Sequence, residues 1–93
     1  MNNVLTIHEV EDYDAWKKIF DDAAPIRKSA GEISYQVLKL DTAAKKIVHF
    51  SKWTSISSAK AFFESDKLVE IRKQAGVKAP EFIYLELLEE GVL

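Results

Sequence analysis

Lys45–Ser65, KKIVHFSKWTSISSAKAFFES, is the stretch from which the fold can be read. Val48, Phe50 and Trp53 sit in a β-type run that ends on the Trp, and the Ser/Thr-rich TSISS that follows is turn and helix-cap chemistry. Ser55 is placed to cap a helix, and Ile56, Ala59, Phe62 and Phe63 give that helix an apolar stripe. The stretch thus reads as strand, turn, helix.

Working outward, Ile33–Leu40 (ISYQVLKL) is a second β-type run. The DTAA turn joins it to Lys45–Trp53 as a hairpin. Upstream, Val4–Val10 reads as the first strand. Asp12 caps a helix whose apolar positions Tyr13, Trp16, Ile19, Phe20, Ala23, Ile26 and Ala30 recur at helical spacing. Lys17, Lys18, Asp21, Asp22 and Lys28 fall between them as a solvated face. Pro25 lacks an amide proton and crowds the carbonyl of Asp21, so a kink or two helical pieces are expected, with Gly31 as the stop. Downstream, Ser65 or Asp66 caps a further helical piece that ends at Gly76. Ala79 and Pro80 lead into a last strand, Glu81–Glu89.

The order strand, helix, strand, strand, helix, strand predicts an α+β fold. It is the ferredoxin-like βαββαβ architecture, a four-stranded antiparallel sheet with both helical regions on one side. The usual strand order, 4-1-3-2, makes the first and third strands central neighbours. Residues 1–93 fit one domain.

Side-chain alternation sorts the strands into two faces. Leu5, Ile7, Val48, Phe50, Ile83, Leu85 and Leu87 form a fully apolar set. Thr6, His8, His49, Ser51, Trp53, Tyr84 and Glu86 share the opposite face with Val4, Ile47 and Phe82. A sheet with one wet side would alternate apolar with polar residues. Here neither face is cleanly polar, and the helices cover only one, so a second copy of the chain is expected on the other. With 47% hydrophobic and 11% aromatic residues, the apolar supply is generous for a domain that buries only roughly 60–65% of its unfolded surface.

Composition excludes several function classes. The net charge of −2 gives no basic footprint for nucleic acid and no polybasic membrane patch. No apolar run approaches the ~20 residues of a membrane span, and MNNVLTIHEV lacks the pattern of a signal peptide, so a cytoplasmic location is expected. The chain has no cysteine, which removes disulfides and thiolate chemistry. There is no phosphate-binding glycine loop, nucleophile elbow or H-E-x-x-H helix.

The hairpin strand ending in Trp53, the segment SISSAKAFFES with its second helical piece to Gly76, and DYDAWKKIFDDAAPIRKSAG resemble the antibiotic-biosynthesis-monooxygenase branch of the dimeric α+β barrel superfamily. The resemblance spans nearly the whole chain. It implies a homodimer packed through the free sheet face. It also implies a cleft between sheet and helices that Trp53 faces, and activities that include cofactor-free oxidation of phenols or quinols. Haem-degrading members pair such a Trp with an Asn in the first strand and a haem-ligating His in the second helical region. Thr6 and His8 stand where that Asn is expected, and KLVEIRKQ (67–74) has no His, so haem degradation is not implied.

Two functional readings remain open. In one, the chain is a cofactor-independent monooxygenase-like protein acting on a small phenol- or quinol-type molecule. His8 and His49 are then the catalytic candidates, and Trp53, Tyr84, Glu86, Ser51 and Thr6 contact the ligand. In the other, it is a non-catalytic ligand-binding or stress-response dimer. A purely structural assembly role would leave the interior filled, whereas ligand sites run to roughly 300 Å³ or more. Each His can equally be a hydrogen-bonded core residue. No metal site is expected, because the His₂-carboxylate set with Glu86 lacks supporting spacing. The facing of Tyr35 is left open, because the DTAA turn closes in either parity.

Overall fold

The computed structural model describes residues 2–93. Its elements are β1 (Asn2–Val10), α1 (Tyr13–Asp22), α2 (Ala24–Ala30), β2 (Glu32–Leu40), β3 (Ala43–Trp53), α3 (Ile56–Phe63), α4 (Asp66–Gln74) and β4 (Val77–Glu86). The sheet is antiparallel in the order β2-β3-β1-β4, as the ferredoxin-like reading requires.

Local chemistry sets the element ends. Asp12 caps α1 by accepting from the Asp14 amide, and Ser55 and Ser65 cap α3 and α4 in the same way. Pro25 lies in the first turn of α2, where its missing amide proton costs nothing, so the helical stretch breaks at Ala23. Gly31 ends α2 at φ 122°, and a Cβ there would meet Thr54 Oγ1 at 2.7 Å. The chain must turn here at close quarters, because the Gly31 carbonyl accepts from the Thr54 amide.

Two boundaries differ from the sequence reading. Only Asp41 and Thr42 form the hairpin turn, and β3 starts at Ala43. The last strand starts at Val77 and stops at Glu86, so Pro80 lies inside it. Pro is tolerated there because β4 is an edge strand and its register on β1 shifts between the Ile7 and Glu9 pairs. Leu87 and Leu88 lie beyond the strand and are exposed.

The helices cover the face that bears Val4, Thr6, His8 and Val10 of β1 and Ile47, His49, Ser51 and Trp53 of β3, all of them buried. One core cluster joins Val4 and Trp53 to Ala59, Phe62, Phe63 and Leu68. A second joins Val10 and Ile47 to Trp16, Phe20 and Ala75. The opposite face keeps Leu5, Ile7, Val48 and Phe50 half-buried, while Leu38, Ile83 and Leu85 are more exposed. Apolar side chains of four strands are therefore left without cover. No helix among the described residues is long and apolar enough to cross a membrane.

Candidate functional site

The two histidines meet as parity requires. Thr6 pairs with His49 and His8 pairs with Ile47, so His8 and His49 are diagonal cross-strand neighbours on the helix side. Both line a cavity of about 50 Å³ between the sheet and the helices. The wall is otherwise mostly apolar, from Trp16, Ile19 and Phe20 of α1, Phe62 and Phe63 of α3, and Leu68 and Ile71 of α4. Two guanidinium groups, Arg27 and Arg72, complete it. Outside, between α1–α2 and α4, a groove of about 210 Å³ shares Ile19, Ala23 and Ile71 with the cavity.

A buried ionic chain borders this cavity. Arg27 Nε donates to Glu32 Oε1 at 2.5 Å, and Glu32 Oε2 lies 2.6 Å from His49 Nε2. Arg27 also donates to the Phe20 carbonyl, and its guanidinium lies 3.7 Å over the Phe20 ring. Arg27 is 5% exposed, Glu32 8% and His49 2%. Because Nε2 faces a carboxylate, it is the proton-bearing nitrogen of a neutral His49, which frees Nδ1 as the acceptor. Glu32 fixes that tautomer, and Arg27 holds Glu32 in place.

Local backbone geometry makes the chain of charges. The β2–β3 register shifts between the Glu32–Trp53 and Ser34–Lys52 pairs. The extra residue, Ile33, lets both Glu32 and Tyr35 turn to the helix side. Tyr35 then packs 5.2 Å from Phe20 and 6.1 Å from His49, which settles its facing.

His8 is in a different state. Its Nδ1 has no hydrogen-bond partner among the described residues, and its ring lies 5.7 Å from Trp16. Burial first, then the electrostatic influence of neighbouring His49 and of the Arg72 guanidinium, push its pKa down to about 3, so His8 is neutral near pH 7.

The other residues read from the sequence as ligand contacts do not line the cavity. Trp53 is wholly buried, and its Nε1 donates to Ser51 Oγ at 2.8 Å. Both belong to the packed core. Thr6 is also wholly buried, with an unpartnered hydroxyl. Tyr84 packs at the edge of the Trp53 cluster, where burial and then the Glu64 charge raise its pKa. Glu86 is exposed at the end of β4, so the His₂-carboxylate set does not assemble. No cluster of three or more His, Asp or Glu side chains suited to a metal occurs among the described residues.

Sequence reasoning passed over Arg27, Glu32 and Arg72. One signal was present. Arg27 and Arg72 are the only arginines among 13 cationic side chains, the rest being Lys, and both line the cavity. Arginine suits buried pairing because its planar fork binds carboxylates in fixed geometry and is weakly hydrated.

No family model matches the chain, and no curated protein matches it. Solved structures do. SnoaB, a cofactor-independent oxygenase from Streptomyces nogalater, aligns at TM-score 0.76 with 10% identity, over 96% of this chain and 94% of that one. A candidate antibiotic biosynthesis monooxygenase from Caulobacter crescentus aligns at TM-score 0.72 with 20% identity, over 95% of this chain and 90% of that one. Another from Bordetella bronchiseptica aligns at TM-score 0.72 with 14% identity, over 96% and 100%. The chain therefore shares its fold with these antibiotic-biosynthesis-monooxygenase-like structures. Identities this low establish the fold and leave the reaction to the site.

Proposed function

We propose that the chain is a homodimeric, cofactor-independent monooxygenase-like protein that oxidises a small phenol- or quinol-type molecule held between α1–α2 and α4. The observation that carries this is the Arg27–Glu32–His49 chain beside an aromatic-walled cavity. A carboxylate behind His49 orients its ring and stabilises the imidazolium that forms when Nδ1 accepts a phenolic proton. The resulting phenolate is electron-rich enough to reduce dioxygen directly. In the simplest balanced outcome a ring C–H ortho or para to the phenolic oxygen becomes a carbonyl and the product is a quinone. That C–H, the phenolic O–H and the O–O bond break, one oxygen enters the product, and the other leaves as water with the two protons. The substrate supplies all four electrons. His8, neutral and unpartnered, is a second polar contact. The likeness to SnoaB supports this reading, and the uncovered apolar sheet face supports the homodimer.

The cavity volume favours a second reading. About 50 Å³ is well short of the ~150 Å³ void that accommodates a benzene. A ring enters only if α4 moves away from α1–α2, into the space of the outer groove. If that motion does not occur, the interior is effectively filled and the chain is a non-catalytic dimer. Dioxygen uptake with a panel of hydroquinones and polycyclic phenols separates the two. Uptake that falls about 100-fold or more in His49→Ala supports the enzyme. No uptake with any compound, together with no quenching of Trp fluorescence by them, overturns it.

A further inference from the structure

We propose that the ligand of this cavity is a single-ring aromatic acid whose carboxylate is recognised by Arg72. This rests on reading the cavity as a ligand site and narrows the class of ligand.

The two arginines of the wall differ in what neutralises them. Arg27 is paired with Glu32. Arg72, in the last turn of α4, donates from Nη1 to the Phe63 carbonyl at 2.9 Å and lies 5.1 Å from the Phe82 ring. No carboxylate among the described residues lies within salt-bridge distance of it. The titratable groups that feel it are Tyr84 and His8, and neither supplies a negative charge near pH 7. A half-buried guanidinium thus stands at the cavity wall with donors to spare, where desolvation disfavours its charge.

His8 is the second observation. It is 6% exposed, it lines the same cavity, and its Nδ1 lacks a partner. Buried polar atoms are almost always satisfied, so this one calls for a polar group inside the cavity. A planar carboxylate fits both needs, since it accepts a forked pair of bonds from Arg72 and one more from the neutral ring of His8. Once the motion of α4 that a ring requires has opened the cavity, Trp16, Phe20 and Phe63 make an aromatic ring the matching body. Asp22 borders the outer groove and repels an anion there, so the carboxylate belongs at the Arg72 side.

Calorimetric titration of the full chain with 3- and 4-hydroxybenzoate, phenol, hydroquinone and acetate tests this. The hydroxybenzoates are expected to bind at least about tenfold more tightly than phenol or hydroquinone, the least a charged hydrogen bond supplies. Arg72→Gln should abolish that preference, bringing hydroxybenzoate affinity down to that of phenol measured on the same variant, and Arg72→Lys should restore only part of it, since Lys cannot fork. Far-UV circular dichroism checks that both variants fold. Equal affinity for phenol and hydroxybenzoate, or a preference that survives Arg72→Gln, overturns the carboxylate assignment and leaves the cavity reading standing. Acetate binding as tightly as the hydroxybenzoates overturns the aromatic half. Binding of none of them overturns both.

Discussion

Replacing Glu32 by Gln should destabilise the chain far more than a conservative isostere ordinarily does. Gln retains an acceptor for His49, so the ring's hydrogen bond survives. What disappears is the counter-charge of Arg27, a guanidinium only 5% exposed, 2.5 Å from Glu32 Oε1 and stacked on Phe20. Leaving one member of a buried pair uncompensated costs about 3–5 kcal/mol. A chain of 93 residues has a total stability of about 5–14 kcal/mol at typical values per residue. The variant should therefore fold but be much weakened. Removing both charges, as Arg27→Met with Glu32→Gln, eliminates the stranded charge. It leaves the Phe20 carbonyl without a donor, a loss of about 1–3 kcal/mol. The double variant should thus be more stable than Glu32→Gln alone. Urea denaturation of the wild type, both singles and the double, at one protomer concentration because dimerisation shifts the midpoint, gives the cycle. A loss below 1 kcal/mol in Glu32→Gln, or a double variant weaker than that single, refutes the argument from buried charge.

Trp53→Ala should cost about 3–5 kcal/mol, because the ring is wholly buried and its Nε1 is satisfied by Ser51. A urea-measured loss under 1 kcal/mol would show that the Trp stands in a void. The pKa of His8 falls from 6.5 in the unfolded chain to about 3 in the folded one, so the unfolded state binds more protons between those values. Its contribution is complete above about pH 6.5 and is lost as pH falls towards 3, at about 1.4 kcal/mol per pH unit. Wild type and His8→Gln should diverge in urea midpoint with that slope between pH 6.5 and 4, and parallel curves would refute it. The open sheet face should bury more than about 1,200 Å² in a homodimer. Sedimentation at micromolar concentration showing only monomer, or a dimer that persists in Phe50→Glu, would contradict this.

Most of the fold was legible because its signals are local. Asp12, Ser55 and Ser65 are cap residues in their usual positions, and Gly31 and Gly76 end helices where the pattern stops. Alternation alone placed His8 and His49 on one face. What escaped reading depends on neighbours distant in sequence. Pro80 reads from the sequence as the lead-in to the last strand and not as part of it, because edge position is a property of the assembled sheet. The bulge at Ile33 turns Glu32 and Tyr35 to the same side, against strict alternation, and no residue type there announces it. Arg27 sits in a stretch with solvated Lys28 and Asp22, and only the closure of α2 over β2 buries it.

The same contrast explains why the resemblance placed weight on Trp53 while the structure places the polar chemistry one layer away. Trp53 is large, aromatic and at a strand end, so it stands out in a sequence. Its environment, with Ser51, Phe62 and Phe63 around it, is that of a core residue. The charged chain is less conspicuous and harder to explain by packing. Apolar residues of similar volume in place of a buried ionic triad are often as stabilising or more so. This chain has apolar residues in abundance and still puts Arg27, Glu32 and His49 where Leu or Phe would pack. Packing alone gives no reason for this polar set. Under the proposed function, a site beside the aromatic cavity that needs one His held in one tautomer supplies the reason.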